Sequence, residues 1–296
     1  MVREPIPRLF ALLGDPVAGN PTQEIVEDAF RRLGLDWRYV STRVRPDDLA
    51  AAVAGLRALG FAGAHVTVPH KVAVVPLLDE LSAAARAIGA VNCIVAHDGR
   101  LIGENTDGKG LVSAVSAVTE VARARVLLFG AGGAARAIGV ELALAGARSI
   151  RLVSRDLARR AGVTAALAGI GAEVVDEPWP EQPITPSDAT LVINATTIGM
   201  PSVSSADALV PVAWNDAAPG LIAADVVIAP STPFTEAARA AGVTAVGGVD
   251  MLVEQAVLSV ELWTGRRPDR AALRTVLERE ITAAEGDSAV QEGAPR

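Results

Sequence analysis

The feature that most constrains this chain is a rhythm. Apolar runs of four to seven residues alternate with stretches of helical periodicity from one end to the other. Strands alternating with helices read as βαβ units, which assemble into open α/β sheets with parallel strands. In the first third, strands are expected at Leu9–Leu13, Trp37–Val44, Gly63–Val68 and Ala90–Ala96. Helical faces lie between them: Ile25, Ala29 and Leu33 before Gly34, Pro46 to Leu59, and much of Pro69–Leu81. Asp98-Gly99 marks a hairpin turn into Leu101–Gly103. The rhythm restarts near Lys109, with helix Gly110–Val121, strand Val126–Phe129, a glycine-rich turn and helix Ala134–Ala145. Strand Ser149–Val153, helix Leu157–Leu167 and strands Glu173–Val175, Thr190–Ile193 and Ile222–Val227 follow. Helices Met251–Thr264 and Arg270–Ala284 close the fold, and the small, polar tail Gly286–Arg296 has the composition of a disordered end.

Composition narrows the function. Lys and Arg number 27 against 34 Asp and Glu, a formal charge of −7. That balance lacks the cations needed to neutralise phosphates, so no nucleic-acid partner is expected. The lone Cys93 forms no internal disulfide and fits a reducing compartment. With His65, His70 and His97 off i, i+4 spacing, no metal site is expected. No apolar run reaches the roughly 18 residues that span a bilayer, and Met1–Phe10 lacks the long apolar core of a signal peptide. A soluble, cytoplasmic protein with a small-molecule substrate and no membrane partner is expected. A homodimer stands as a candidate assembly.

Gly130-Ala131-Gly132-Gly133-Ala134-Ala135 satisfies G-x-G-x-x-[G/A], following a strand and opening a helix. Glycines there permit a tight turn and let backbone N–H groups approach a pyrophosphate at the helix N-terminus. The plainer alternative is a tight turn that binds nothing. An NAD site would place an acid at the tip of the next strand, where this chain has Ser154, followed by Arg155 and Arg159. Two guanidiniums there suit a 2′-phosphate, so NADP is expected, with NAD the alternative because Asp156 sits between them.

Polar groups also end strands in the first third, around His65–Lys71, Asn92 and Asn105–Gly108. Lys71 is expected at a helix N-terminus, which disfavours an ammonium and favours proton transfer. Asp107 can share that proton. Together with a nicotinamide site they supply a proton acceptor opposite a hydride acceptor.

These motifs resemble the shikimate/quinate dehydrogenases over about Leu9 to Ala284. The resemblance is carried by Gly14–Ala18, Val66–Lys71, Gly89–Asn92, Asn105–Gly108, Gly130–Ala135, Ile193–Thr196 and Met251–Ala256. It implies a substrate domain (1–108, completed by helices in 249–285), a Rossmann NADP-binding domain (109–248) and a tail (286–296). It implies reversible NADP-dependent hydride transfer between 3-dehydroshikimate and shikimate, on the chorismate route to aromatic amino acids. Lys71 and Asp107 match the catalytic pair, and Thr67, Asn92 and Gln255 match residues that hold ring hydroxyls. Gly130–Ala135, Ser154, Arg155 and Arg159 match dinucleotide contacts, as do Asn194 and Thr196. Val226 and Gly248 match the nicotinamide end.

The departures fall on substrate recognition. Where the family reads His-Ser-x-Ser-Pro and its serines bind the substrate carboxylate, this chain has Gly19-Asn20-Pro21-Thr22-Gln23. Asn20 and Thr22 retain hydrogen-bonding capacity. Asn20 also reads as an N-cap with Pro21 at N1 and Gln23 at N3. His65 replaces an asparagine and Ile228 a tyrosine. The alternatives left open are a related ring substrate (quinate, an aminoshikimate or a carboxylate-free cyclitol) and a non-catalytic dinucleotide-binding sensor.

Overall fold

The computed structural model describes residues 6–200 and 209–292. The chain forms two compact units: one runs to Thr106 and resumes at Ala256, and the other is Asp107–Gln255. The expected boundaries at 108/109 and 248/249 lie a few residues from these.

The first unit contains β1 (Leu9–Gly14), α1 (Thr22–Arg32), β2 (Arg38–Arg43), α2 (Leu49–Ala58), β3 (Gly63–Val66), β4 (Glu80–Leu81), α3 (Ala83–Ile88), β5 (Cys93–His97) and β6 (Arg100–Glu104). Its sheet has the order β2-β1-β3-β5-β6-β4. β1 is buried almost throughout, because side chains that alternate along it meet helices on both faces. Ala11 and Leu13 join Leu49, Val53 and Leu56 of α2, while Phe10 packs on Phe30 of α1 at 5.0 Å and on Trp263 at 4.8 Å. Trp263 explains why the end of the helix Gly248–Thr264 belongs here. Its indole Nε1 donates to Ile94 O at 3.0 Å, and a Cβ on Gly63 would lie 2.5 Å from that nitrogen.

The sheet is parallel from β2 to β3 and again where β4 pairs with β6. β5 runs antiparallel to both β3 and β6, so the expected all-parallel sheet is corrected to a mixed one. The hairpin expected at Asp98-Gly99 forms, with φ of 50° and 76° at its two residues, as a type I′ turn requires. β1 connects to β2 on one side, and the chain then crosses to place β3 on the other. The topological switch point therefore lies between the carboxyl ends of β1 and β3, where open α/β sheets bind ligands.

The second unit contains α4 (Thr106–Ser116), β7 (Arg125–Phe129), α5 (Gly133–Leu144), β8 (Ser149–Ser154), α6 (Leu157–Leu167), β9 (Glu173–Pro178), β10 (Leu191–Asn194), β11 (Ile222–Asp225), α7 (Pro233–Ala240) and β12 (Thr244–Val246). Helix α8 (Gly248–Thr264) leads back to the first unit, which α9 (Arg270–Glu292) completes. The sheet order β12-β11-β10-β7-β8-β9 is wholly parallel and doubly wound, with its switch point between β7 and β10.

Three expectations change. Pro69–Leu81 is not helical but a run of turns with one 3₁₀ turn at Val75–Leu77. α4 begins at Thr106, so Asp107 lies in its first turn. The tail assigned to 286–296 is helical as far as Glu292, its last residues lying outside the described ones. Among the described residues no helix is long and apolar enough to cross a membrane.

Candidate functional site

In the second unit, β7 ends in a glycine that nothing else replaces. Gly130 has φ +115°, and a Cβ there would lie 2.5 Å from Ala195 O. Its N–H donates to Val153 O at 2.8 Å, tying the turn to β8. Gly132 and Gly133 are the opposite case: no atom lies within 4 Å of where their Cβ atoms would be. The first turn of α5 thus presents open backbone N–H groups, as a pyrophosphate requires. They face a cleft of about 510 Å³ lined by Gly130–Ala134, Ser154, Arg155, Arg159, Thr196 and Val226.

Three residues expected to touch cofactor do not line this cleft. Ala135 is fully buried in the packed face of α5. A Cβ on Gly248 would collide with Val227 O, so its role is to let α8 start against that loop. Asn194 is fully buried and organises the cleft from beneath. Its Nδ2 donates to Ile198 O and Asp225 Oδ1, while its Oδ1 accepts from the backbone N–H and hydroxyl of Thr196. Asp225 accepts further from Val227 N–H and from the Thr232 hydroxyl at 2.6 Å. Burial pushes the Asp225 carboxyl above its usual range, against hydrogen bonds that pull it down. The loops after β10 and β11 are locked together by this network.

Asp156 does not oppose the two arginines. Its Oδ1 caps α6 by accepting from Arg159 N–H at 3.0 Å, and its Oδ2 lies 3.3 Å from Arg159 Nε. The Arg155 guanidinium sits 5.5 Å over the Trp179 ring. Trp179, Met200 and Thr197 line the cleft and escaped the sequence reading; an aromatic just past a strand end was the available signal for Trp179. In the same unit, Asp107 and Gln255 belong to helices packed nearly backbone to backbone. A Cβ on Gly110 would lie 2.6 Å from Gln255 Cγ and 2.8 Å from Met251 O.

In the first unit, candidate side chains gather at the carboxyl ends of β1 and β3. Thr67 N–H donates to Leu13 O at 2.9 Å and Asp15 N–H to Val68 O at 3.0 Å, joining the two loops. Lys71 is half-buried in turns that follow, held by Val91 N–H donating to its carbonyl at 2.8 Å. With no helix there, the helix-dipole argument does not apply to Lys71. The adjacent His70 is buried and its Nε2 donates to Val44 O at 2.7 Å.

His65 is buried against Trp263, and its Nδ1 lies 2.7 Å from the Tyr39 hydroxyl. Burial holds the Tyr39 phenol well above its usual pKa, with Cys93 adding to the effect, so the hydroxyl stays protonated. Asn92, also buried, holds Thr106, where the first unit's first segment ends: its Oδ1 accepts from Thr106 N–H at 2.7 Å and its Nδ2 donates to Thr106 Oγ1 at 3.0 Å.

The loop after β1 does not form the expected cap. α1 starts at Thr22, Asn20 Oδ1 accepts from Thr22 N–H at 3.0 Å and from the Thr22 hydroxyl at 2.5 Å, and no side chain reaches N3. Gln23 instead accepts from Ser41 N–H at 2.9 Å, pinning α1 to β2.

Residues 12–94 match the shikimate dehydrogenase substrate binding domain, and residues 248–278 match the shikimate 5'-dehydrogenase C-terminal domain. The shikimate dehydrogenase (NADP(+)) of Moorella thermoacetica is 40% identical, over 95% of this chain and 96% of that one. The enzyme of the same name from Desulforamulus reducens is 39% identical, over 91% and 94%. The chain belongs to the shikimate/quinate dehydrogenase family. Among solved structures, the ligand-free 5-ketofructose reductase of Gluconobacter sp. strain CHM43 is 40% identical. It superposes with a TM-score of 0.88, covering 93% of this chain and 99% of that one. Proteins about equally similar to this chain are thus named for different substrates.

Proposed function

We propose that this chain catalyses the reversible NADP-dependent interconversion of 3-dehydroshikimate and shikimate. The observation that carries the reading is the glycine-lined dinucleotide cleft, in a chain that also has Lys71 and Asp107 at the family's motif positions. The cleft fits the cofactor: Gly132 and Gly133 leave the helix N-terminus open, and Arg155 and Arg159 border it beside Ser154. When bound, the dinucleotide accepts or supplies the hydride. Lys71 Nζ takes the proton of the reacting hydroxyl in oxidation and returns it to the carbonyl oxygen in reduction. Asp107 is the second member of the family's catalytic pair. Thr67, Asn92 and Gln255 are the residues assigned to the ring hydroxyls.

The similarity to the 5-ketofructose reductase favours a second reading, in which the same reaction runs on a sugar-derived ketone. The buried thiol of Cys93 suits a reducing compartment, supporting a cytoplasmic location. The test is nicotinamide absorbance with NADP⁺ or NAD⁺ against shikimate and quinate. Rapid NADP⁺ reduction with shikimate is expected. Absence of turnover with every ring alcohol, while dinucleotide binding persists, would reject the assignment.

A further inference from the structure

We infer that Trp179 is a positioning residue for cofactor choice: its indole face presents the Arg155 guanidinium to the 2′-phosphate that distinguishes NADP from NAD. The inference rests on the NADP reading above. It assigns part of that selectivity to a residue outside both the glycine turn and the arginine pair.

The argument starts from what an arginine must keep unused if it is to take a phosphate. The phosphate pairs with its N–H donors and its charge, so a carboxylate already holding them has to be displaced first. Arg159 is in that position, with its Nε 3.3 Å from Asp156 Oδ2. Arg155 is not. Among the described residues no carboxylate forms an ion pair with it, and its guanidinium sits 5.5 Å over the centre of the Trp179 ring. A π face attracts the cation through its quadrupole, yet leaves the N–H donors available and the charge unneutralised. The indole therefore limits where the guanidinium can go without occupying what the phosphate needs, which lowers the cost of ordering it on binding.

The shelf is itself held in place. Trp179 is half-buried, and its ring meets that of buried Phe129, at the end of β7, edge to face at 5.7 Å. Buried Arg160 clamps the two strand ends that carry the pair. Its Nη1 donates to Ser154 O at 2.9 Å and to Glu177 O at 3.0 Å, and its Nε to Asp176 Oδ2 at 2.7 Å. Arg155 directly follows Ser154, and Trp179 lies just past Glu177 and Pro178, so the clamp sets the span across which ring and guanidinium meet. Both line the same cleft as Gly132 and Gly133.

The experiment titrates NADP⁺ and NAD⁺ by calorimetry into the intact protein and into Trp179→Met, Trp179→Phe, Arg155→Ala and Trp179→Met/Arg155→Ala. Methionine keeps packing against Phe129 but has no π face; should that variant not fold, Trp179→Leu takes its place under the same criteria. Binding does not depend on which ring substrate is turned over, so a failed substrate assignment leaves the result standing. Trp179→Met should weaken NADP⁺ binding by about three- to tenfold and NAD⁺ binding by less than about twofold. Trp179→Phe, which retains an aromatic face, should keep the larger part of the preference. With Arg155 already replaced by alanine, the methionine substitution should no longer lower NADP⁺ affinity. Equal loss of both dinucleotides in Trp179→Met means that the indole acts on the part they share, and overturns the inference. An unchanged NADP⁺ affinity overturns it too, as does a loss that persists in full without Arg155. Native affinities that do not differ between NADP⁺ and NAD⁺ reject the NADP reading, and the inference with it.

Discussion

Two glycines in one turn should fail in different ways when given a methyl group. Gly130 has φ +115° and would place its Cβ 2.5 Å from Ala195 O and 2.8 Å from Ala195 C, both backbone atoms. A residue held in that region costs about 1–3 kcal/mol, and the forced contact adds about 1–3 kcal/mol. Gly130→Ala is therefore expected to destabilise by about 4 kcal/mol, a fall in Tm of roughly 8–16 °C. Gly132 is extended at φ −86°, with no atom within 4 Å of its missing Cβ. Alanine there relieves unfolded-chain entropy but is a poorer N-cap, so stability should move by less than about 1 kcal/mol. Its methyl group does occupy the space a pyrophosphate needs, and NADP affinity should fall by about tenfold or more. Differential scanning calorimetry and a dinucleotide titration separate the two. A Gly132→Ala protein that binds NADP normally would refute the cradle, and an unshifted Tm in Gly130→Ala would refute the packing argument.

Removing both guanidiniums in Arg155→Ala/Arg159→Ala should weaken NADP binding by roughly 10–100-fold and leave NAD binding nearly unchanged, as read by titration. Asp225 is protonated more readily folded than unfolded. Its contribution to stability is therefore best at low pH and is lost as pH rises from 3.8, its ordinary value, through the raised folded value. In Asp225→Asn that loss should vanish, so the stability difference between variant and native chain should change with pH across that window in chemical denaturation; a constant difference contradicts it. Tyr39→Phe removes the hydroxyl that bonds buried His65 and should cost about 1–3 kcal/mol by the same assay.

What the sequence made legible was local. The glycine turn after β7, the Asp98-Gly99 hairpin and the apolar run of β1 each follow from residues within a few positions of one another. Lys71 misled because Pro69 reads as a helix start. Pro76 and the β-branched Val72, Val74 and Val75 work against a helix, and the chain takes turns instead. α7 carried its signal in Thr232-Pro233, a capping residue before a proline at N1, and in a buried face of Phe234 and Ala238, but its eight residues make little more than two turns. The antiparallel pairing of β5 with β3, the indole of Trp263 against β5 and the Asn194–Asp225 network were illegible because their partners are distant in sequence. At Asn20 and Thr22 the sequence supplied the residue types. Only the geometry showed which atom donates and which accepts.

The most direct test of the account is turnover by Lys71→Ala, measured with dinucleotide affinity in the same preparation. The account predicts that NADP⁺ reduction with shikimate is lost, by about a hundredfold or more for a missing proton acceptor. The affinity for NADP should stay within about twofold, because its cleft is built wholly from the second unit. Turnover that survives the substitution, or affinity that disappears with it, would contradict the role given to Lys71.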